Sequence, residues 1–185
     1  MTPREAQGRV TDEDQEFLLE QLAKSREALL EAFEGTSEAQ ARFRAAPDRW
    51  SILECIEHLT IADQRLLGLI QQAQPGEADP SSEREMTLFG SVKDRSTKAT
   101  APEASRPKGK YASFREASTK LIQGRKELSD YVRTSENLRD RWLTHPVPAI
   151  GRIDVYTCCL IMAAHGLRHA EQIREVRADA NFPRK

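Results

Sequence analysis

The stretch 158-CCLIMAAHGLRHAEQIREV-176 decides how the rest of the chain is read. Cys158, Met162, His165, His169, Gln172 or Ile173, and Val176 recur at three- and four-residue intervals, the spacing of a buried helical seam. His165 and His169, four residues apart, leave one face of that helix a little over a turn from each other. Two neutral imidazoles so placed form a bidentate clamp for a divalent metal that still lacks one or two ligands. Burying both among apolar side chains is costly unless each finds a partner, and one metal ion satisfies the two together. Asp154 is the expected N-cap, and the helix should run to about Ala178.

Three more amphipathic segments precede it. Thr11, followed by Asp12, Glu13 and Asp14, predicts a helix start, and Leu18 or Leu19, Leu22, Leu29 and Phe33 carry the apolar stripe towards a stop at Gly35. A second helix is predicted over 48-DRWSILECIEHLTIADQRLLGLIQQA-73, capped by Asp48 or Ser51, with Ser51 and Glu54 in capping-box spacing. Its stripe is Ile52, Cys55 or Ile56, Leu59, Leu66 and Ile70, and His58 borders it. A third helix is predicted over 111–135, with Phe114, Ala117 or Ser118, Leu121, Leu128, and Tyr131 or Val132 facing inward. Four amphipathic helices and no strand alternation outside the linkers predict an all-α four-helix bundle.

Residues 1–185 make one domain of ordinary size, with 1–11 expected to be loose. Residues 75–110 form a long connection between the second and third helices, interrupted by Pro75, Pro80, Pro102 and Pro107. Its apolar piece 86–92 can pack back on the body, and the whole can cross the bundle or cover a pocket. The connection 136–156 carries Pro146, Pro148 and Gly151, and places His145 in extended backbone outside any helix, as a structural or surface residue.

A formal net charge of -1 gives no reason to expect nucleic acid or a membrane surface as a partner. No apolar run reaches the ~18 residues of a membrane helix, and the N-terminus lacks the apolar core of a secretory signal, so the cytoplasm is expected. Cys55, Cys158 and Cys159 all fall in apolar helical surroundings and read as small buried hydrophobes.

His58 is the candidate third ligand, because it lies on a helix that can face the His165–His169 pair. Three imidazoles would make a half-open site for Zn or Ni first, and Fe, Co or Mn as alternatives. Such a metal acts as a Lewis acid or lowers the pKa of a bound water or thiol. Glu54, four residues before His58, is a candidate catalytic or ligand-orienting group, with capping as the simpler role. Arg26, near the stripe between Leu22 and Leu29, is a candidate contact for a substrate anion, with snorkelling or a salt bridge as the simpler role. Glu171 and Gln172 are candidates to orient ligands or to bond between helices. The chain has no Gly-rich phosphate loop, nucleophile elbow, CxxC, or paired Glu-x-x-His of di-iron bundles.

The segments 50-WSILECIEHLTIAD-63 and 144-THPVPAIGRIDVYTCCLIMAAHGLRHAEQI-173 closely resemble the DinB-like (DinB/YfiT) superfamily of bacterial four-helix bundles. The likeness lies in the Trp-Ser opening, the His-Leu and following Asp63, the HP…G approach, and the H-x-x-R-H-x-x-Q-I ending. It implies a metal held by His58, His165 and His169. It further implies a homodimer and a metal-dependent hydrolase- or transferase-like enzyme acting on a small-molecule substrate, with a low-molecular-weight thiol in an S-transferase-like reaction as the leading expectation. A non-enzymatic stress-response or interaction bundle, with structural histidines or metal, is the alternative.

Overall fold

A computed structural model describes residues 9–77, 82–97 and 99–184. Four long helices form the body: α1 (Asp12–Phe33), α3 (Ile52–Gln71), α5 (Phe114–Thr134) and α6 (Val155–Arg177). Each starts where a side chain caps it. Thr11, Ser51, Ser113 and Asp154 accept from the amides of Asp14, Glu54, Glu116 and Thr157, which satisfies donors that the first turn leaves unpaired. Gly35, at φ 66°, follows α1 as the expected stop. α1 and α3 each pack on both α5 and α6, closing a four-helix bundle.

The linkers hold more structure than their sequence suggests. The polar connection after α1 contains a single capped turn, α2 (Glu38–Ala41). The 75–110 connection contains α4 (Ser82–Lys93), which lies against α6 and brings Phe89 into the core. A small antiparallel sheet pairs β1 (Gln74–Pro75) with β2 (Arg141–Thr144), and β2 with β3 (Arg152–Asp154), in register Trp142↔Asp154. Strands of two to four residues are too short to display a two-residue alternation, so the sequence carries no sign of them. Residues 1–8 lie outside the described part of the expected loose terminus. Residues 9–11 are not loose: Val10 is buried and donates its amide to the Glu136 carbonyl at 2.9 Å.

A polar layer crosses the middle of the bundle. Arg125 of α5 is 1% exposed and sits where the stripe between Leu121 and Leu128 calls for an apolar residue. Its Nε lies 2.7 Å from Asp63 Oδ2 of α3, its Nη2 donates to Asp63 Oδ1 at 3.2 Å, and its Nη1 donates to the Met162 carbonyl of α6 at 2.7 Å. Ser25 of α1 completes the layer at 3.4 Å from Nη1. Burial pushes Asp63 up to about 6, against the pull of Arg125. The layer separates two apolar clusters. One holds Leu18, Leu22, Leu66, Leu128 and the first half of α6, and the other holds Leu29, Ile56, Leu59, Leu121 and Ile173.

At the start of α6, Arg139 gathers Glu85 of α4 at 2.6 Å and Asp14 of α1 at 3.2 Å, with its guanidinium 3.9 Å from the Tyr156 ring centroid. Gly166 leaves the room that the central layer needs: a Cβ there would stand 2.1 Å from Ser25 Oγ and 3.0 Å from Arg125 Nη1. We therefore expect Asp63→Ala to cost about 3–5 kcal/mol in chemical denaturation, because it strands a buried guanidinium. Gly166→Ala should cost about 1–3 kcal/mol by crowding, and adding Ser25→Ala should return part of that loss.

Candidate metal centre

The capping box of Ser51 and Glu54 fixes the start of α3 less than two turns before His58. Ile52, Cys55, Ile56 and Leu59 are all fully buried around it, which turns His58 inward at 4% exposure. Across the interface, α6 presents His165 and His169. The three imidazoles converge. His58 Nε2 lies 3.2 Å from His165 Nε2, and His169 Nε2 lies 3.0 Å from the same atom. Ligand atoms of all three rings fall within 4.8 Å of one another. Tetrahedral metal–nitrogen bonds of about 2.0–2.1 Å place ligand atoms about 3.3 Å apart, close to the 3.2 and 3.0 Å that His165 Nε2 keeps from the other two rings.

Proton bookkeeping favours the same conclusion. His58 Nδ1 lies 2.7 Å from the Ser105 carbonyl, which can only accept, so Nδ1 carries the proton and Nε2 faces the cluster with a lone pair. His165 Nε2 stands against two ring nitrogens, and a neutral ring has at most one hydrogen to offer there. The three rings cannot satisfy both contacts by ordinary hydrogen bonds, whereas a cation at their centre would meet three lone pairs. The residues present fit a divalent metal.

Burial pushes His165 and His169 well below the ordinary histidine value, reinforced for His165 by His58 and for His169 by His165. His58 is lowered by burial and pulled the other way by Ser105. All three lowered values favour the neutral imidazole, the form that can bind a metal. Of the guanidinium groups nearby, Arg125 pairs with Asp63 and Arg95 with Glu175 at 2.6 Å, while Arg168 donates to the Thr97 carbonyl at 2.8 Å. His58 and His169 are buried and His165 is half-buried, so His165 is the most exposed of the three. The half-buried Trp50 forms a wall, its ring 4.9 Å from that of His58 and stacked at 6.2 Å on that of His169.

The other candidates lie elsewhere. Glu54 accepts the Ser51 amide at 2.9 Å and pairs with Arg44, which occupies its carboxylate in the cap. Arg26 is exposed on α1, because Ser25 takes the inward position on that turn. His145 is buried beside the hairpin and accepts the Val147 amide at 3.1 Å. Gln172 receives Arg95 and Glu171 pairs with Arg174. Sequence reading missed the Ser105 carbonyl, which as backbone has no signature. It also missed Glu57, which is 1% exposed and holds the amides of residues 108–110.

The sequence profile of the DinB superfamily matches residues 21–173, which takes in all three histidines. The chain belongs to the DinB superfamily. A solved structure of YfiT from Bacillus subtilis, described as a probable metal-dependent hydrolase with an unusual four-helix bundle topology, superposes with a TM-score of 0.60. The match covers 99% of this chain and 95% of that one at 15% identity, so it speaks for the DinB fold. No curated protein sequence matches. Among the described residues, no helix of this DinB protein is long and apolar enough to cross a membrane.

The depressed histidines make a pH test possible. Their folded values lie below the ordinary 6.5, so the unfolded chain takes up protons first and stability falls as pH drops below about that value. Asp63 and Asp154, both pushed up to about 6 by burial, act in the opposite sense and cancel in a comparison. Metal-free wild type should lose stability relative to His165→Gln/His169→Gln between about pH 7 and 5.5, measured by urea titration. Parallel pH profiles would refute the assignment.

Proposed function

We propose that this DinB protein is a divalent-metal-dependent enzyme with a low-molecular-weight thiol as cosubstrate, acting in an S-transferase-like manner. The observation that carries it is the convergence of His58, His165 and His169 with only His165 partly exposed. Three protein ligands with one accessible side leave room for an exogenous group. A divalent cation bound there, with Zn or Ni first among the choices, supplies Lewis acidity that lowers the pKa of a thiol or water.

The chain's own groups favour a thiol over water. The carboxylates nearest the ligands in sequence are engaged: Glu54 in its cap, Glu57 by three amides, Glu171 by Arg174 and Glu175 by Arg95. None stands free as a general base. A thiol, with a pKa of about 8.5, needs far less help to ionise than water at about 15.7. The thiol must come from outside. Cys55, Cys158 and Cys159 are all buried, and burial pushes all three thiols up, Cys158 to about 12. In the transfer, sulfur forms a bond to an electrophilic carbon and the leaving group departs with its bonding electrons. The thiol proton passes to solvent. The histidines hold and orient, and Trp50 shields one side of the rings.

The burial of two ligands out of three favours a second reading, a non-enzymatic bundle with a structural metal. The two separate experimentally. Protein purified without an affinity tag should carry close to one equivalent of divalent metal, and His169→Ala should lower its affinity roughly 100-fold or more. Metal-dependent consumption of a small thiol with a generic electrophile, lost in His169→Ala, supports the enzyme. Metal that raises the melting temperature without any such turnover supports the structural bundle. A wild type that neither carries nor takes up metal removes both.

A further inference from the structure

The connection from α4 to α5 runs past the histidines as a strap tied at both ends. At its near end Arg95 pairs with Glu175 at 2.6 Å, and the Thr97 carbonyl accepts from Arg168 Nη2 at 2.8 Å. At its far end Glu57 Oε1 accepts the amides of Lys108 at 2.7 Å and Lys110 at 3.0 Å, while Oε2 accepts that of Gly109 at 3.1 Å. Three successive amides can face one carboxylate because Gly109 adopts φ 73°, a conformation other residues rarely take. Between the ties, the short 3-10 turn Glu103–Ser105 delivers the Ser105 carbonyl to His58 Nδ1 at 2.7 Å.

Glu57 and His58 are consecutive residues of α3. One turn of a rigid helix therefore both grips the strap and presents the ligand that the strap orients. A carboxylate at 1% exposure is expensive to bury, and here every hydrogen bond it accepts goes to the loop that carries Ser105.

We propose that Glu57 is a positioning residue for the metal centre. By clamping 108–110 it sets the strap so that Ser105 holds the Nδ1 proton of His58 and leaves Nε2 free towards His165. Strap order and metal affinity are then coupled, and the coupling is reciprocal: tightening either strengthens the other. The affinity claim rests on the metal reading above. The claim about the His58 proton does not.

Two variants reach the clamp from opposite sides. Glu57→Gln keeps the shape but loses acceptor capacity. Gly109→Val acts in the exposed strap, where a Cβ would meet no atom within 4 Å, so it perturbs only the backbone turn. Imidazole nitrogen NMR of the metal-free protein should show His58 as a single Nδ1–H tautomer in the wild type and as a mixture in both variants. Zn(II) affinity, measured against a competing chelator, should fall about tenfold or more in both. Zn(II) should also slow tryptic cleavage after the exposed Lys108 and Lys110 in the wild type, and do so less in the variants. Variants that keep the wild-type tautomer and bind Zn(II) as tightly as the wild type overturn the proposal. If Glu57→Gln fails to fold, Gly109→Val decides alone. A wild type that binds no Zn(II) sinks the metal reading and the affinity claim with it, and the tautomer response then judges the positioning of His58 separately.

Discussion

The ion pair between Asp63 and Arg125 is the constraint on which the bundle's geometry depends. Two charges withdrawn from water are costly, and attraction at 2.7 Å offsets that only if the remaining donors are also met. Here they are met by a carbonyl of α6 and approached by a hydroxyl of α1. All four long helices must therefore arrive at one level and one rotation for the pair to be tolerated. An apolar core alone would permit sliding between helices, since Leu and Ile interchange contacts with little penalty. A buried pair with directional bonds does not. Its net contribution to stability is modest, and what it adds is register.

Register at this level is what aims the histidines. Gly166 faces the Arg125 and Ser25 side chains so closely that no Cβ fits without movement. Successive helical residues are rotated by about 100°, so pinning Gly166 towards α1 and α5 turns His165 and His169 towards α3. The two faces of α6 serve different ends within one turn, one filled by the guanidinium and the other by the histidine cluster. Rotation of α6 by even a fraction of a turn would break both.

Much of this was legible in the sequence. The four helices, three of their caps and the inward turn of His165 and His169 follow from spacing and cap chemistry, because each is a local property that tertiary packing reinforces. The central layer was also legible, but as a gap. Leu22 to Leu29, Leu59 to Leu66 and Leu121 to Leu128 each skip the intervening turn, and Ser25, Asp63 and Arg125 occupy the skipped positions. Three stripes broken alike are a sign of a shared polar level, and Arg26 drew attention to the right turn of α1 but the wrong residue. The rest was hidden for a physical reason. Glu57 and Ser105 are 48 positions apart in their effects, joined through backbone amides and a carbonyl that every residue type possesses.

That hidden part bears on how the site is built. Two of the three histidines stand on one helix, where backbone geometry fixes their separation, and the third comes from a facing helix, where its ring could otherwise rotate about its own side chain. The bundle core cannot prevent that rotation, because apolar neighbours resist displacement but offer no hydrogen bond. A carbonyl can, because it accepts from one ring nitrogen and so fixes which of the two carries the proton. Here that carbonyl comes from the short turn Glu103–Ser105, outside the four long helices. The long connection between α3 and α5 supplies it, and its length follows from the need to pack α4 on α6 and still return past His58. What reads in sequence as an overlong linker is, in three dimensions, the backbone that meets His58 Nδ1.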